Sequence, residues 1–213
     1  AEGGGSGTLA PKQQLVDASA AEARRAANTR RLDLLAESAN AADKTMTQNV
    51  LRSLVSVTFQ TPTQIDGIPG TQWGGTGYVV DVERGLILTD RNTVVSMLGD
   101  ARVTIASSVE LPARVVFLHP THNFCFLRVD PTLLANASDV RALPMFSPDP
   151  QPELRRGDAL TFVGLSMQNH LRVMGVRVLA LERSNIPSPS TPRFTAKNFD
   201  VVSFDQAPTN SAG

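Results

Sequence analysis

Apolar and polar residues alternate along most of the chain after residue 49, with the period of two that is typical of β-strands. The first such run contains Val55, Val57 and Phe59 together with the β-branched Thr58. The same pattern predicts strands at residues 53–59, 78–80, 86–88, 101–106, 111–118, 158–165, 172–181 and 199–205, and another around Cys125. Because turn-forming residues separate these runs, the predicted fold class is mainly β.

A different composition precedes the strands. Residues 11–49 are rich in Ala, Gln, Glu, Arg and Leu and contain no Gly or Pro after Pro11, which favours helix. Their apolar stripe is narrow and mostly alanine, so we interpret them as a helical segment or linker, and the alternative is a partner-binding or coiled-coil helix, for which no heptad is sustained. Residues 1–10 form a flexible, Gly-rich start without the basic and apolar regions of a secretory signal.

Composition and charge exclude several classes of function. The 213 residues are 41% hydrophobic, which suffices for a core, and 20 basic side chains balance 20 acidic ones. With a formal net charge of +0, no global field attracts nucleic acid. No apolar run approaches the roughly 20 residues that span a bilayer. A single cysteine excludes an internal disulfide and fits a reducing compartment.

The stretch from Gly75 to Val95 carries the most informative motif. It reads G-T-G-Y-V-V, then a turn at Glu83-Arg84-Gly85, then L-I-L-T-D-R-N-T-V-V. It resembles the first hairpin of HtrA/Deg-type serine proteases, in which G-[ST]-G-[FY]-[VI]-[VI] leads to T-N-x-H-V-V with the catalytic histidine. By that resemblance Asn92 occupies the histidine position. A carboxamide has no proton affinity near neutral pH and cannot serve as a general base.

A second matching block runs from His119 to Pro131. The family has a D-P-x-x-D turn here, and the last Asp orients the catalytic histidine; this chain has H-P-T-H-N, so Asn123 stands at that position. The following F-L-R-V-D-P is similar to the long, PDZ-bearing, tandem-domain HtrA relatives of fungal nuclei and plant plastids. Asparagine keeps the hydrogen-bonding shape of aspartate but lacks its charge.

The third block is the C-terminal D-Q-A-P-T-N-S-A-G, compared with the family pattern D-x(several)-G-N-S-G-[SG]-P. Matching N-S puts Ser211 at the nucleophile position, whereas sliding by one residue puts Ala212 there. With Ser211 as reference, the residues of the oxyanion loop are Thr209 and Asn210. The usual glycine is replaced by the β-branched Thr209, for which a positive φ is costly. We therefore expect a collapsed oxyanion hole.

Other candidate sites have simpler interpretations. His119, His122 and Cys125 could supply part of a zinc site, but no fourth ligand is evident and Cys125 occupies a small core position, so no metal is predicted. Residues 74–77 are not followed by the lysine of a phosphate loop, and no cofactor is predicted. His170 is interpreted as a surface turn residue, and Trp73 as packing at the barrel mouth.

The resemblance implies a chymotrypsin-like double β-barrel preceded by a helical segment. We expect the first barrel at residues 50–132, a connector at 133–156 and a second barrel at 157–213. Members of the family continue with further strands, so we expect the second barrel to be truncated or incomplete.

Three functions are compatible with these residues. The first is a pseudoprotease, a catalytically inactive domain with the degenerate triad Asn92, Asn123 and Ser211 that acts as scaffold, assembly or regulatory domain of a larger protease or complex. The second is a peptide-binding module that uses the vestigial cleft or a sheet edge. The third is an active endopeptidase whose base is His119 or His122. Expected partners are proteins or other domains of a larger HtrA-like chain, with room for a homo-oligomer. The compartment is not readable from the residues, and the relatives point to nucleus or plastid stroma.

Overall fold

A computed structural model describes residues 23, 26, 30, 44–66, 70–105, 109–120, 122–136, 140–143, 153–165, 170–186 and 196–205. Residues 23, 26 and 30 are helical and exposed. No helix among these residues has the length and apolar character needed to cross a membrane. The elements are α1 (Lys44–Ser53), β1 (Leu54–Gln60), β2 (Gln72–Asp81), β3 (Leu86–Thr89), β4 (Asp100–Ile105), β5 (Val109–Leu118), β6 (Cys125–Val129), α2 (Pro131–Asn136), β7 (Ala159–Leu165), β8 (Leu171–Ile186) and β9 (Ala196–Phe204).

The first six strands close into an antiparallel barrel in the order β1-β2-β3-β6-β5-β4. Alternate residues of each strand point inward, so Val55, Val57 and Phe59 of β1 are buried in one apolar core with side chains from the other five strands. Gly77 keeps this interior free, because a Cβ there would lie 2.8 Å from Val57 Cγ2. The predicted turn is also present: Gly85 adopts φ 65°, and a Cβ would lie 2.3 Å from the Val129 carbonyl oxygen.

Strand β2 begins earlier than the sequence suggested. The alternating pattern predicted a strand only at residues 78–80, whereas β2 pairs with β1 from Gln72 onward. Trp73 is buried, with its ring centroid 6.0 Å from that of Phe59. The glycines at 74 and 75 weaken the strand signal, but core burial of Trp73 supplies the stabilisation that propensity lacks.

Helices α1 and α2 differ from the predicted bounds of the barrel and the connector. Helix α1 continues to Ser53, so residues 50–53, which were expected in the barrel, are helical. The Ser53 hydroxyl donates to the Val50 carbonyl.

Helix α2 occupies the start of the region that was interpreted as a connector. Asp130 caps it, accepting from the Thr132 amide at 2.8 Å, and Leu134 is fully buried. Hydrogen bonds to Thr132 lower the pKa of the Asp130 carboxyl.

The remaining strands form an open sheet in the order β7-β8-β9. Two hydrogen bonds between described residues join it to the barrel. The Tyr78 hydroxyl donates to the Val163 carbonyl at 2.7 Å, and the Leu165 amide donates to Thr76 Oγ1 at 3.2 Å. Burial raises the pKa of the Tyr78 phenol. The predicted class, mainly β with a closed first barrel, is confirmed, and the open three-stranded sheet among the described residues is consistent with the expected incomplete second barrel.

Candidate functional site

The turn that follows β3 carries Asn92. The Asp90 carboxylate holds this turn together through both of its oxygens. Oδ1 accepts hydrogen bonds from the backbone amides of Asn92 at 2.8 Å and Thr93 at 2.9 Å. Oδ2 accepts a hydrogen bond from the Thr93 hydroxyl at 2.8 Å. The Asp90 carbonyl accepts from the Val94 amide, which completes one helical turn. These four bonds fix the backbone, while the side chain of Asn92 is exposed at the surface.

Close packing holds the same turn against β2. Thr93 is buried, and a Cβ added to Gly75 would lie 2.0 Å from its hydroxyl oxygen. Only glycine at position 75 permits this approach. The hydrogen bond from the Thr89 hydroxyl to the Thr76 carbonyl, 2.8 Å long, joins β3 to β2 immediately beside it. The glycine of the recognised motif therefore has a packing role here.

Asn123 lies on the neighbouring turn, between β5 and β6. Its Oδ1 accepts from the backbone amide of Arg91 at 3.0 Å, so the structure brings Asn123 next to the residue that precedes Asn92. An N–H donor at this distance identifies the oxygen of the carboxamide. The side chain is half-buried and serves as a backbone acceptor between the two turns.

The sequence pattern did not predict two side chains that hold the turns, Asp90 and Arg91. Asp90 is signalled by an Asp followed three residues later by Thr, which is the spacing of a capping turn. Arg91 has no such signal. Its guanidinium donates to the carbonyls of His119 at 2.7 Å and Pro120 at 3.2 Å, which depends on contact between distant segments.

The histidines near Asn123 have structural roles. His119 Nδ1 accepts from the His122 amide at 2.8 Å, and their rings meet edge to face with centroids 4.5 Å apart. Loss of solvation lowers the pKa of the His119 imidazole, and the neighbouring His122 and Arg91 lower it further. Within the described part of the chain, no three His, Cys, Asp or Glu side chains group as metal ligands do. His170 is exposed just before β8.

Cys125 is fully buried in the barrel core, and its thiol donates to the Asp90 carbonyl at 3.8 Å. Burial raises the pKa of the Cys125 thiol to about 12. A thiol that stays protonated at neutral pH is a poor nucleophile and a poor metal ligand.

The remaining candidates, Thr209, Asn210, Ser211 and Ala212, lie outside the described residues. The described part of the site therefore consists of two carboxamides, Asn92 and Asn123, on turns held together by Asp90 and Arg91. Carboxamides donate and accept hydrogen bonds but neither take up nor release protons near neutral pH.

Comparison with known proteins identifies relatives of this architecture. Residues 75–209 match the trypsin-like peptidase domain family. A PDZ domain-containing protein of Schizosaccharomyces pombe is 32% identical over 167 residues, covering 78% of this chain and 16% of its own. The pro-apoptotic serine protease NMA111 of Debaryomyces hansenii is 35% identical over 158 residues, covering 74% of this chain and 15% of its own. The chain thus spans about a sixth of these relatives.

Solved structures show the same fold. The crystal structure of Deg5 superposes with a TM-score of 0.55 and 15% sequence identity, over 78% of this chain and 73% of that one. The resemblance to HtrA/Deg-type proteases and their long fungal relatives, inferred from the motifs, is confirmed at the level of family and fold.

Proposed function

The chain belongs to the trypsin-like peptidase domain family, and from that premise we propose that it is a catalytically inactive member, a pseudoprotease that acts as a scaffold, assembly or regulatory domain of a larger HtrA-like chain. The observation that carries the proposal is Asn92. By resemblance this position belongs to the general base, and here it holds an exposed carboxamide in a turn whose backbone amide is bound by Asp90.

The neighbouring position supports the same conclusion. An orienting carboxylate would place negative charge beside an imidazolium, whereas Asn123 offers a neutral oxygen that accepts from the Arg91 amide. Removal of triad members from such enzymes leaves only small residual rates. What the barrel retains is a rigid surface with its turns intact, which suits binding and assembly.

A protease assay with restored residues tests the proposal. We expect the chain to leave labelled casein uncut under conditions in which a catalytically intact HtrA domain degrades it. The double variant Asn92→His/Asn123→Asp restores the motif residues, and Asn92→Gln/Asn123→Gln is the matched control for perturbation of the turns. Casein cleavage by the unmodified chain that the control variant abolishes would contradict the proposal.

The open sheet favours a second candidate, a peptide-binding module. Among the described strands, β7 and β9 are edges, and edge strands present unpaired backbone groups to which an extended peptide can add. Protection of amides 196–204 from hydrogen exchange by a bound peptide would support this alternative. Protection confined to the barrel would exclude it.

Location and partners follow from the relatives. We propose an intracellular protein, in the nucleus or plastid stroma by analogy with the long HtrA relatives, whose partners are proteins or other domains of its own chain. Fractionation with antibody against the chain would test the compartment.

A further inference from the structure

Two arginines lie directly opposite each other on the outer face of the barrel. Arg114 of β5 pairs with Arg128 of β6, and both side chains are exposed. Like charges at facing positions of an antiparallel pair are unfavourable. Neither guanidinium has an ion pair or a hydrogen bond with any other residue that the structure describes.

Another arginine of the same barrel, Arg102, forms ion pairs and serves as a comparison. Arg102 of β4 lies 2.7 Å from Asp100 and 2.7 Å from Glu110, so two carboxylates of the barrel face its guanidinium. Both carboxylates pair with Arg102, and no carboxylate that the structure describes forms an ion pair with Arg114 or Arg128.

A β-bulge exposes two large apolar side chains beside the arginines. The register between β5 and β6 shifts between Val115 and Phe117, which leaves Val116 without a partner and breaks the alternation of the strand. As a result Val116 is 44% exposed and the adjacent Phe117 is 42% exposed. The Phe117 ring lies near the rings of His119, Phe124 and Phe126, at centroid distances of 5.8, 6.2 and 6.3 Å, and these neighbours leave part of it open to solvent.

We propose that the β5–β6 face, formed by Arg114, Val116, Phe117 and Arg128, binds a protein segment that carries carboxylates next to an apolar side chain. A carboxylate between the two guanidinium groups relieves their repulsion and accepts from planar donor forks. The exposed aromatic ring provides the apolar anchor that protein interfaces favour alongside arginine. Phosphate backbones fit less well, because the chain has a net charge of +0 and half of this face is apolar.

The inference rests on the proposed function in one respect, that the domain acts by binding. It concerns a different surface from the Asn92 turn, and its test does not measure hydrolysis. Loss of this proposal would leave the pseudoprotease proposal standing, and casein cleavage would leave this one standing.

Fluorescence anisotropy with an acidic peptide tests the surface. The probe is a fluorescein-labelled octapeptide of sequence GEEVFEEG, compared with GQQVFQQG, which lacks the charges, and GEESSEEG, which lacks the apolar pair. We expect only GEEVFEEG to bind measurably, with an affinity that falls as salt is added because the contacts are exposed charges.

Substitutions on the β5–β6 face test which of its side chains contribute to peptide binding. Arg114→Gln/Arg128→Gln should weaken binding by about fivefold or more, given the strength of exposed charged contacts. The matched control Arg155→Gln/Arg156→Gln removes two exposed arginines before β7 and should change affinity by less than about twofold. Val116→Thr should also weaken binding while retaining the β-branched shape of the bulge.

Three results would overturn the proposal. They are failure of GEEVFEEG to bind the unmodified chain, equal weakening by both arginine pairs, and tighter binding of a DNA duplex that is lost in Arg114→Gln/Arg128→Gln. Circular dichroism of each variant confirms that the barrel is folded before its affinity is compared.

Discussion

The closed barrel and the open sheet differ in how they bury their apolar residues. The barrel's core is one cluster that runs from Val55 to Leu134. The described side chains of the sheet contribute only Val176 and Val178 to the buried apolar set, and Leu179 and Leu181 are 50% and 49% exposed. A closed ring has no edge and buries its whole inner face, whereas the three described strands of the sheet leave two edges open.

The barrel therefore depends less on the sheet than the sheet depends on the barrel or on a bound partner. Both proposed vestigial positions that the structure describes, Asn92 and Asn123, belong to barrel turns, whose backbone bonds need nothing from the sheet. Residues 206–213, with the proposed nucleophile position, follow the sheet strand β9. We therefore expect the barrel to dominate the stability of the chain, and the sheet to respond more strongly to anything that binds it.

The largest expected difference between barrel and sheet is in the free energy of unfolding, after a cavity is made in the barrel core. Phe59→Ala removes a fully buried ring that packs on Trp73, and should lower the free energy of unfolding by about 3–5 kcal/mol in urea titrations. The control Leu179→Ala truncates a half-exposed side chain of the sheet and should cost less than about 1 kcal/mol. Equal losses would show that the two regions share one core.

A smaller effect is expected where the Asn92 turn meets β2. Gly75→Ala forces a Cβ against the Thr93 hydroxyl and should cost about 1–3 kcal/mol. Thr93→Ala alone should cost about 1 kcal/mol, from its bond to Asp90. If steric contact is the cause, the double variant will be more stable than the sum of the two losses predicts. Strict additivity would refute the proposed contact.

The smallest effect concerns pH and the barrel thiol. Because the pKa of folded Cys125 is raised to about 12, the unfolded chain loses this proton first, and stability should fall as pH rises above the ordinary thiol range. At pH 9.5 the loss should be about 1 kcal/mol. The measurement is the difference between urea titrations of the unmodified chain and Cys125→Ala, since Tyr78 is common to both. Parallel pH profiles would contradict the burial argument.

Sequence alone predicts most of the barrel, because alternation and burial agree along strands such as β1 and β4. It fails where tertiary contact overrides local signals. Burial of Trp73 stabilises β2 across two glycines that weaken the strand pattern. Burial of Leu134 packs α2 against the barrel in a region that the composition predicted to be a connector.

In the candidate site, Asn92 and Asn123 can be identified from the sequence alone, because comparison with the family motif shows which residue stands at the position of the base and which at that of the orienting acid. The bonding that holds them is less visible. Asp90 could be inferred from its spacing to Thr93, but the link from Arg91 to the His119 carbonyl spans two turns that only the fold brings together.

We propose that no group of this chain activates a serine hydroxyl. Intact-mass spectrometry after incubation with a fluorophosphonate probe tests this proposal, because the probe forms an adduct only with an activated nucleophile. We predict an unchanged mass for the unmodified chain, while an active serine protease treated in parallel is labelled to completion. A single adduct that maps to Ser211 and disappears in Ser211→Ala would contradict the account.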